Sequence, residues 1–205
     1  MDGTTNFSQT PLAQPGQETS RSDSKSIDAA LGSDDQEKQA PRLHVRLASS
    51  LADLEYLRPV SLEFHKESRF ADIPYSHKKR DDLMIKALNN SERYALMIAE
   101  YKGEPIGFLF CTAGEYLVGY GELMTTVYSF YVRKKYRGSL VGGRAAVRLL
   151  KGAVKWSQLR NAREIMIHVT SGIDIKRTDK FLRRGGFGVI GANYSLPLRR
   201  PGSPA

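Results

Sequence analysis

The run Arg137-Gly138-Ser139-Leu140-Val141-Gly142-Gly143-Arg144 is the part of the chain best suited to chemistry. It lies between a segment rich in β-branched and aromatic residues and one of helical periodicity, so it marks a strand–helix junction. A helix start presents unpaired N–H groups and the positive end of its dipole, and both attract an anion. Glycines let the main chain approach a phosphate without a Cβ in the way. Arg137 and Arg144 bracket the turn with guanidinium groups that hold phosphate oxygens in pairs. The spacings of the P-loop and of the Rossmann dinucleotide loop are both absent. Elsewhere, His44, His65 and His77 have no metal-ligand spacing, and no metal is expected. Cys111 is the only cysteine, which excludes a disulfide framework, and it reads as a buried thiol.

Periodicity predicts the elements that position this loop. A strand is expected at 43–47, then an amphipathic helix over 50–68 that Pro59 should kink or interrupt. A second helix covers 77–89. Strands at 94–101 and 105–117 are joined by Lys102-Gly103-Glu104, a hairpin signal, and their apolar faces place them mid-sheet. A strand at 126–132, the basic loop 133–141, a helix over 142–160 and a strand at 164–170 make a βαβ unit with a right-handed crossover. A helix at 175–184 stops at Gly185-Gly186, and 187–198 reads as a last strand or hairpin. The result is an α/β protein with a mixed sheet.

The chain has 205 residues and a formal net charge of +9, distributed unevenly. Residues 1–40 carry 3 basic and 7 acidic groups, no Val, and six Ser and five Gln. So little apolar surface cannot offset the entropy of ordering, and 1–41 reads as a disordered acidic tail. The remainder, with 28 basic and 15 acidic groups, implies an acidic ligand: nucleic acid, an anionic membrane or a phosphorylated cofactor. A domain at 42–198 is long enough for its own core, and 199–205 reads as a short flexible tail. No apolar stretch approaches a membrane span, and no secretory signal is legible, so a cytoplasmic location is expected. The acidic tail is compatible with a tether, a cover for the basic domain or a secretion address.

Residues 137–142 resemble the loop signature Arg/Gln-x-x-Gly-x-Gly/Ala of the GNAT superfamily of N-acetyltransferases, with Leu140 where the first glycine is usual. The resemblance extends over about 43–198. It includes the 102–107 hairpin and the helix after Asp174 that ends in Gly186-Phe187. The run from His168 to Leu182 is similar to a phage-associated branch. The fold this implies is a mostly antiparallel central sheet with helices on its flanks and a parallel fourth and fifth strand that splay apart.

The resemblance also implies an activity, the transfer of an acetyl group from acetyl-CoA to an amine by direct attack in a ternary complex. The acceptor would be a small molecule, a protein or a nucleic acid base, and a homodimer is possible. The main chain of Gly138, Ser139, Leu140, Val141, Gly142 and Gly143, flanked by Arg137 and Arg144, would hold the CoA diphosphate. An N–H near Tyr131 or Val132 would polarise the thioester carbonyl. Relatives often carry a tyrosine, the acid for the departing thiolate, where this chain has Leu182; Tyr194 is the substitute considered. Glu122 is the first candidate base and His168 the second. Acceptor pockets would come from 61–76, 113–125 and 191–196. Two alternatives remain: a catalytically weak CoA-binding module, and a basic nucleic-acid-binding protein.

Overall fold

Strands that are apolar on both faces need a cover on each side, and the chain supplies two. The computed structural model describes residues 43–191 and 193–195. The acidic tail, residue 192, the end of the expected last strand and the C-terminal tail lie outside them. The element order is β1 (His44–Leu47), α1 (Leu51–Glu67), α2 (His77–Asn89), β2 (Tyr94–Tyr101), β3 (Glu104–Glu115), β4 (Leu123–Val132), a 3₁₀ turn (Lys134–Tyr136), α3 (Leu140–Gln158), β5 (Glu164–Ile167) and α4 (Ile175–Arg184). The five strands form one sheet in sequence order. All pairs are antiparallel except β4 and β5, which run parallel.

On one face α3 buries Ala145, Leu149, Ala153 and Trp156 against Val45, Met97, Leu109 and Val127. On the other, α1 and α2 bury Leu54, Leu57, Val60 and Met84 against Leu96, Ile98, Phe108 and Tyr131. Cys111 is fully buried, and burial pushes its thiol up to about 12, so it packs as a small apolar group.

Four expectations need correction. Pro59 does not interrupt α1, which runs unbroken through it. Its missing N–H withholds a bond from the carbonyl of Glu55, and both residues are exposed, so water can serve that carbonyl. The helix after the loop begins at Leu140, two residues early, because the Ser139 side chain caps it by accepting from the Gly142 amide. No strand forms among the described residues of 187–195, and β5 stops at Ile167 rather than reaching 170.

Asp53 ties α1 to the sheet. It turns back to accept from the amides of Ser49 (2.8 Å) and Ser50 (3.2 Å) and meets Arg46 of β1 at 2.6 Å. Burial opposes ionisation, but Arg46 and those amides outweigh it and hold the carboxyl at about 2. A depressed folded pKa adds stability above the ordinary carboxylate range that is lost as pH falls through the folded value. Asp53→Asn should therefore cost about 2 kcal/mol at neutral pH. Urea titrations should show the gap to wild type undiminished above pH 4 and closing as pH approaches about 2.

Candidate functional site

β4 and β5 are paired only from Met124 with Glu164 to Val127 with Ile167. Beyond that, β4 continues to Val132 with no strand paired on its β5 side among the described residues. The break coincides with a bulge: Phe110 faces Ser129 while Cys111 faces Val127, so Tyr128 is an extra residue that twists β4. Antiparallel main-chain groups alternate in direction. Arg133 donates to the Ile106 carbonyl at 2.8 Å, so Tyr131 also points at β3, while Phe130 and Val132 point into the gap. The Val132 carbonyl there accepts from Arg137 Nε at 2.7 Å, and the Val132 N–H stays open to the gap.

A cavity of about 490 Å³ occupies the gap and continues between α1 and α2. At one end lies the turn around Gly138, whose φ of +88° is left-handed and suits glycine. The amides here divide into two groups. Ser139 donates to Tyr136, Gly142 to the Ser139 hydroxyl and Gly143 to the Ser139 carbonyl. Those of Gly138, Leu140 and Val141 have no such bond among the described residues, so the loop offers three donors rather than six. Leu140 keeps negative φ and turns its side chain outward, 80% exposed, so it obstructs nothing. Gly142 has no alternative, because a Cβ there would lie 2.1 Å from the Tyr136 carbonyl oxygen.

The arginines differ from their sequence reading. Arg137 turns inward: it bonds the Val132 carbonyl, lies 2.7 Å from Glu67 of α1 and stacks over Tyr131 at 5.0 Å. Tyr131 in turn donates to Glu67 at 2.5 Å, and burial together with that carboxylate raises its phenol well above the usual range. Arg137 thus fixes the end of β4 to α1 and is not a free phosphate clamp. Arg144 is exposed and does not line the cavity, and Arg148 bonds the Leu43 carbonyl. The guanidinium that does reach the turn is Arg177 of α4, which lines the cavity 3.9 Å from where a Cβ on Gly138 would be.

Of the three catalytic candidates, His168 lines the cavity, with its ring 6.3 Å from that of Tyr128. Glu122 is exposed ahead of β4, at the strand end away from the gap, and Tyr194 is 94% exposed; neither lines the cavity. Leu182 is buried and likewise absent from the lining. Among the described residues of the three expected acceptor segments, only those of the first contribute, through Ser61, His65, Phe70 and Tyr75 among others. Sequence reasoning placed Tyr75 within an expected acceptor segment and Tyr128 within the strand at 126–132 without singling out either, and it missed Arg177. A signal existed for Arg177: Asp174, Arg177, Thr178 and Phe181 are spaced as one helix face, and all four line the cavity. Tyr75 has no such signal, because its place depends on how α1 and α2 pack.

Comparison with known proteins gives a family and a fold. The family model described as acetyltransferase (GNAT) family matches residues 59–186, as a whole and without selecting a branch. No curated protein matches in sequence. The structure is similar to that of the aminoglycoside N-acetyltransferase AAC(6')-Iy in complex with CoA, at 16% identity over 81% of this chain and 99% of that one, TM-score 0.57. It is also similar to a ribosomal-protein-alanine N-acetyltransferase from Brucella melitensis biovar Abortus 2308, at 14% identity over 77% and 100%, TM-score 0.57. A third similar structure is an acetyltransferase from Trypanosoma brucei, at 16% identity over 77% and 100%, TM-score 0.55. At these identities the likeness establishes the fold.

The glycines make a paired test. Gly142→Ala should lower the melting temperature markedly, because helix α3 must move off the 3₁₀ turn to admit the methyl group. Gly143→Ala meets nothing within 4 Å and should leave the melting temperature unchanged or raise it slightly, since alanine favours a helix by about 1 kcal/mol over glycine. Thermal melts followed by circular dichroism distinguish the two.

Proposed function

Since the chain belongs to the acetyltransferase (GNAT) family, we propose that it transfers the acetyl group of acetyl-CoA to an amine by direct attack. The observation that carries this reading is the unpaired stretch of β4 beyond Val127, whose main chain faces a cavity beginning at the α3 N-terminus. The residues present fit the cosubstrate. Three open amides and Arg177 can receive its diphosphate, and the gap between the strands can take an extended arm that bonds the main chain as a strand would.

The amine nitrogen forms a bond to the thioester carbonyl carbon, the carbon–sulfur bond breaks, and CoA leaves as its thiolate. The Val132 N–H is directed to where the carbonyl oxygen gains charge, an arrangement worth roughly 10²–10³ in kcat per donor. His168 receives the proton that the amine sheds, directly or through water. Tyr128, whose ring faces that of His168, is the hydroxyl able to return a proton to the thiolate in place of Leu182. Cys111 takes no part, since it is sealed in the core.

A second reading is favoured by one observation: of the residues expected to catalyse, only His168 is in the cavity. A protein that binds CoA with little turnover would have the same cleft.

Two measurements test the proposal, and the second separates the readings. Arg177→Ala should raise the Kd for acetyl-CoA by about tenfold or more, the worth of a charge-assisted bond, and leave that for acetyl-pantetheine unchanged. Isothermal titration reads this and applies under either reading. His168→Gln should lower kcat roughly 10²–10⁴-fold with the acetyl-CoA Kd unaltered. Thiol release that is no faster with the intact histidine than without it would leave the binding-module reading.

A further inference from the structure

The end of the cavity far from the Gly138 turn is closed by α1, the stretch after it and α2. Its surface is apolar and aromatic, with Phe64, Phe70, Leu83, Met84 and Phe108 in the lining. Phe64 meets Phe108 edge-on at 5.8 Å, which makes a flat-sided slot. Five polar side chains interrupt it, and three of them are engaged by nearby carbonyls: Ser61 bonds that of Leu57, Ser68 that of His65, and the His65 ring that of Ile73. The Tyr75 hydroxyl is buried without a hydrogen bond of normal geometry. Arg80, 8% exposed, is committed to the Leu54 carbonyl, the Ser61 hydroxyl and Asp81.

No carboxylate lines this end among the described residues. Asp81 is outside the lining and is shared between Arg80 and Arg58. The single acidic residue of the whole lining, Asp174, is at the start of α4 beside Arg177. An ammonium group entering the far end would lose its water and find cations but no counter-charge. The one nitrogen that reacts is exempt, because it must be neutral to attack, and these surroundings favour its neutral form. Every further ammonium on the acceptor is penalised.

Resting on the transferase reading above, we propose that the acceptor is a small monoamine with an apolar, aromatic-sized body and an oxygen that accepts from the Tyr75 hydroxyl. Burial raises the Tyr75 phenol above its ordinary pKa, so it remains a donor at neutral pH. The far end is only part of a cavity of about 490 Å³ whose remainder takes the cosubstrate's arm, so the acceptor it admits is small. Its charge distribution is unsuited to an aminoglycoside or a polyamine, both of which carry several ammonium groups.

The test uses the full-length protein. Titration of acetyl-CoA alone is run first, and an absence of heat would remove the transferase reading and this inference with it. With binding established, thiol release is measured with tyramine, phenethylamine, spermidine, kanamycin and a peptide with a free N-terminus. Tyramine should exceed spermidine and kanamycin by at least about a hundredfold in kcat/KM. Tyr75→Phe should raise the KM for tyramine about tenfold and leave that for phenethylamine unchanged. Leu83→Glu, at a position 42% exposed and so tolerant of charge, should shrink the preference over spermidine about tenfold or more. Faster turnover with the polycations or the peptide would overturn the inference and leave the transferase intact. So would a preference for longer acyl-CoA thioesters, which would assign the apolar end to the acyl chain.

Discussion

A strand edge left unpaired inside a protein is a demand for a partner. Beyond Val127, β4 has the main-chain groups of Phe130 and Val132 turned toward a gap that β5 does not fill. Buried groups of this kind are nearly always satisfied, and the protein meets the demand only in part, by turning Arg137 onto the Val132 carbonyl. What remains is one strand's worth of hydrogen bonding offered to a ligand. The bulge at Tyr128, the early end of β5 and the ties from α1 all maintain that opening.

Those ties explain why the arginines cannot be judged by number. Arg133 grips Glu63 through two nitrogens, Arg137 meets Glu67, and Arg46 links Asp53 with Glu100. Each joins α1 to the sheet, so the carboxylates of one helix consume the cations of the strands and the loop. A guanidinium so engaged gives rigidity to the cleft rather than charge to its contents. Arg177 is different because it comes from α4, on the opposite wall, and reaches the turn without crossing α1. The net charge of the chain says that cations are in excess; the packing shows that of the three arginines lining the cavity, Arg80 and Arg137 are held by carboxylates.

The cavity is correspondingly two-natured. Its loop end offers amides and a guanidinium, suited to phosphate, and its far end offers mostly rings and methyl groups, with the Tyr75 hydroxyl buried among them. On the transfer proposed above, the reacting centre would fall between, where Val132, His168 and Tyr128 line the gap. Such a gradient from polar to apolar orients a two-part substrate pair without a metal-like anchor, since each part is soluble in only one end.

The sequence alone determined the elements, because periodicity and turn residues are local: the αβ order, the mid-sheet strands, a helix after the loop (though not its capped start at Leu140) and the Gly185 stop are all legible residue by residue. It also carried the family, since residues 137–142 are contiguous and their chemistry depends on one turn. Local reasoning failed at Pro59, where exposure of the residue and its partner carbonyl removed the expected penalty, and at the described residues of 187–195, which join no strand although β1 and β5 each leave an edge of the sheet free. The direction of Arg137, the amides left open at the turn, the exclusion of Glu122 and Tyr194 from the cavity and the arrival of Tyr75 and Arg177 within it were decided by the tertiary structure. Each depends on distance between residues far apart in the chain, and that distance is set by how helices pack on a twisted sheet, which no single segment encodes.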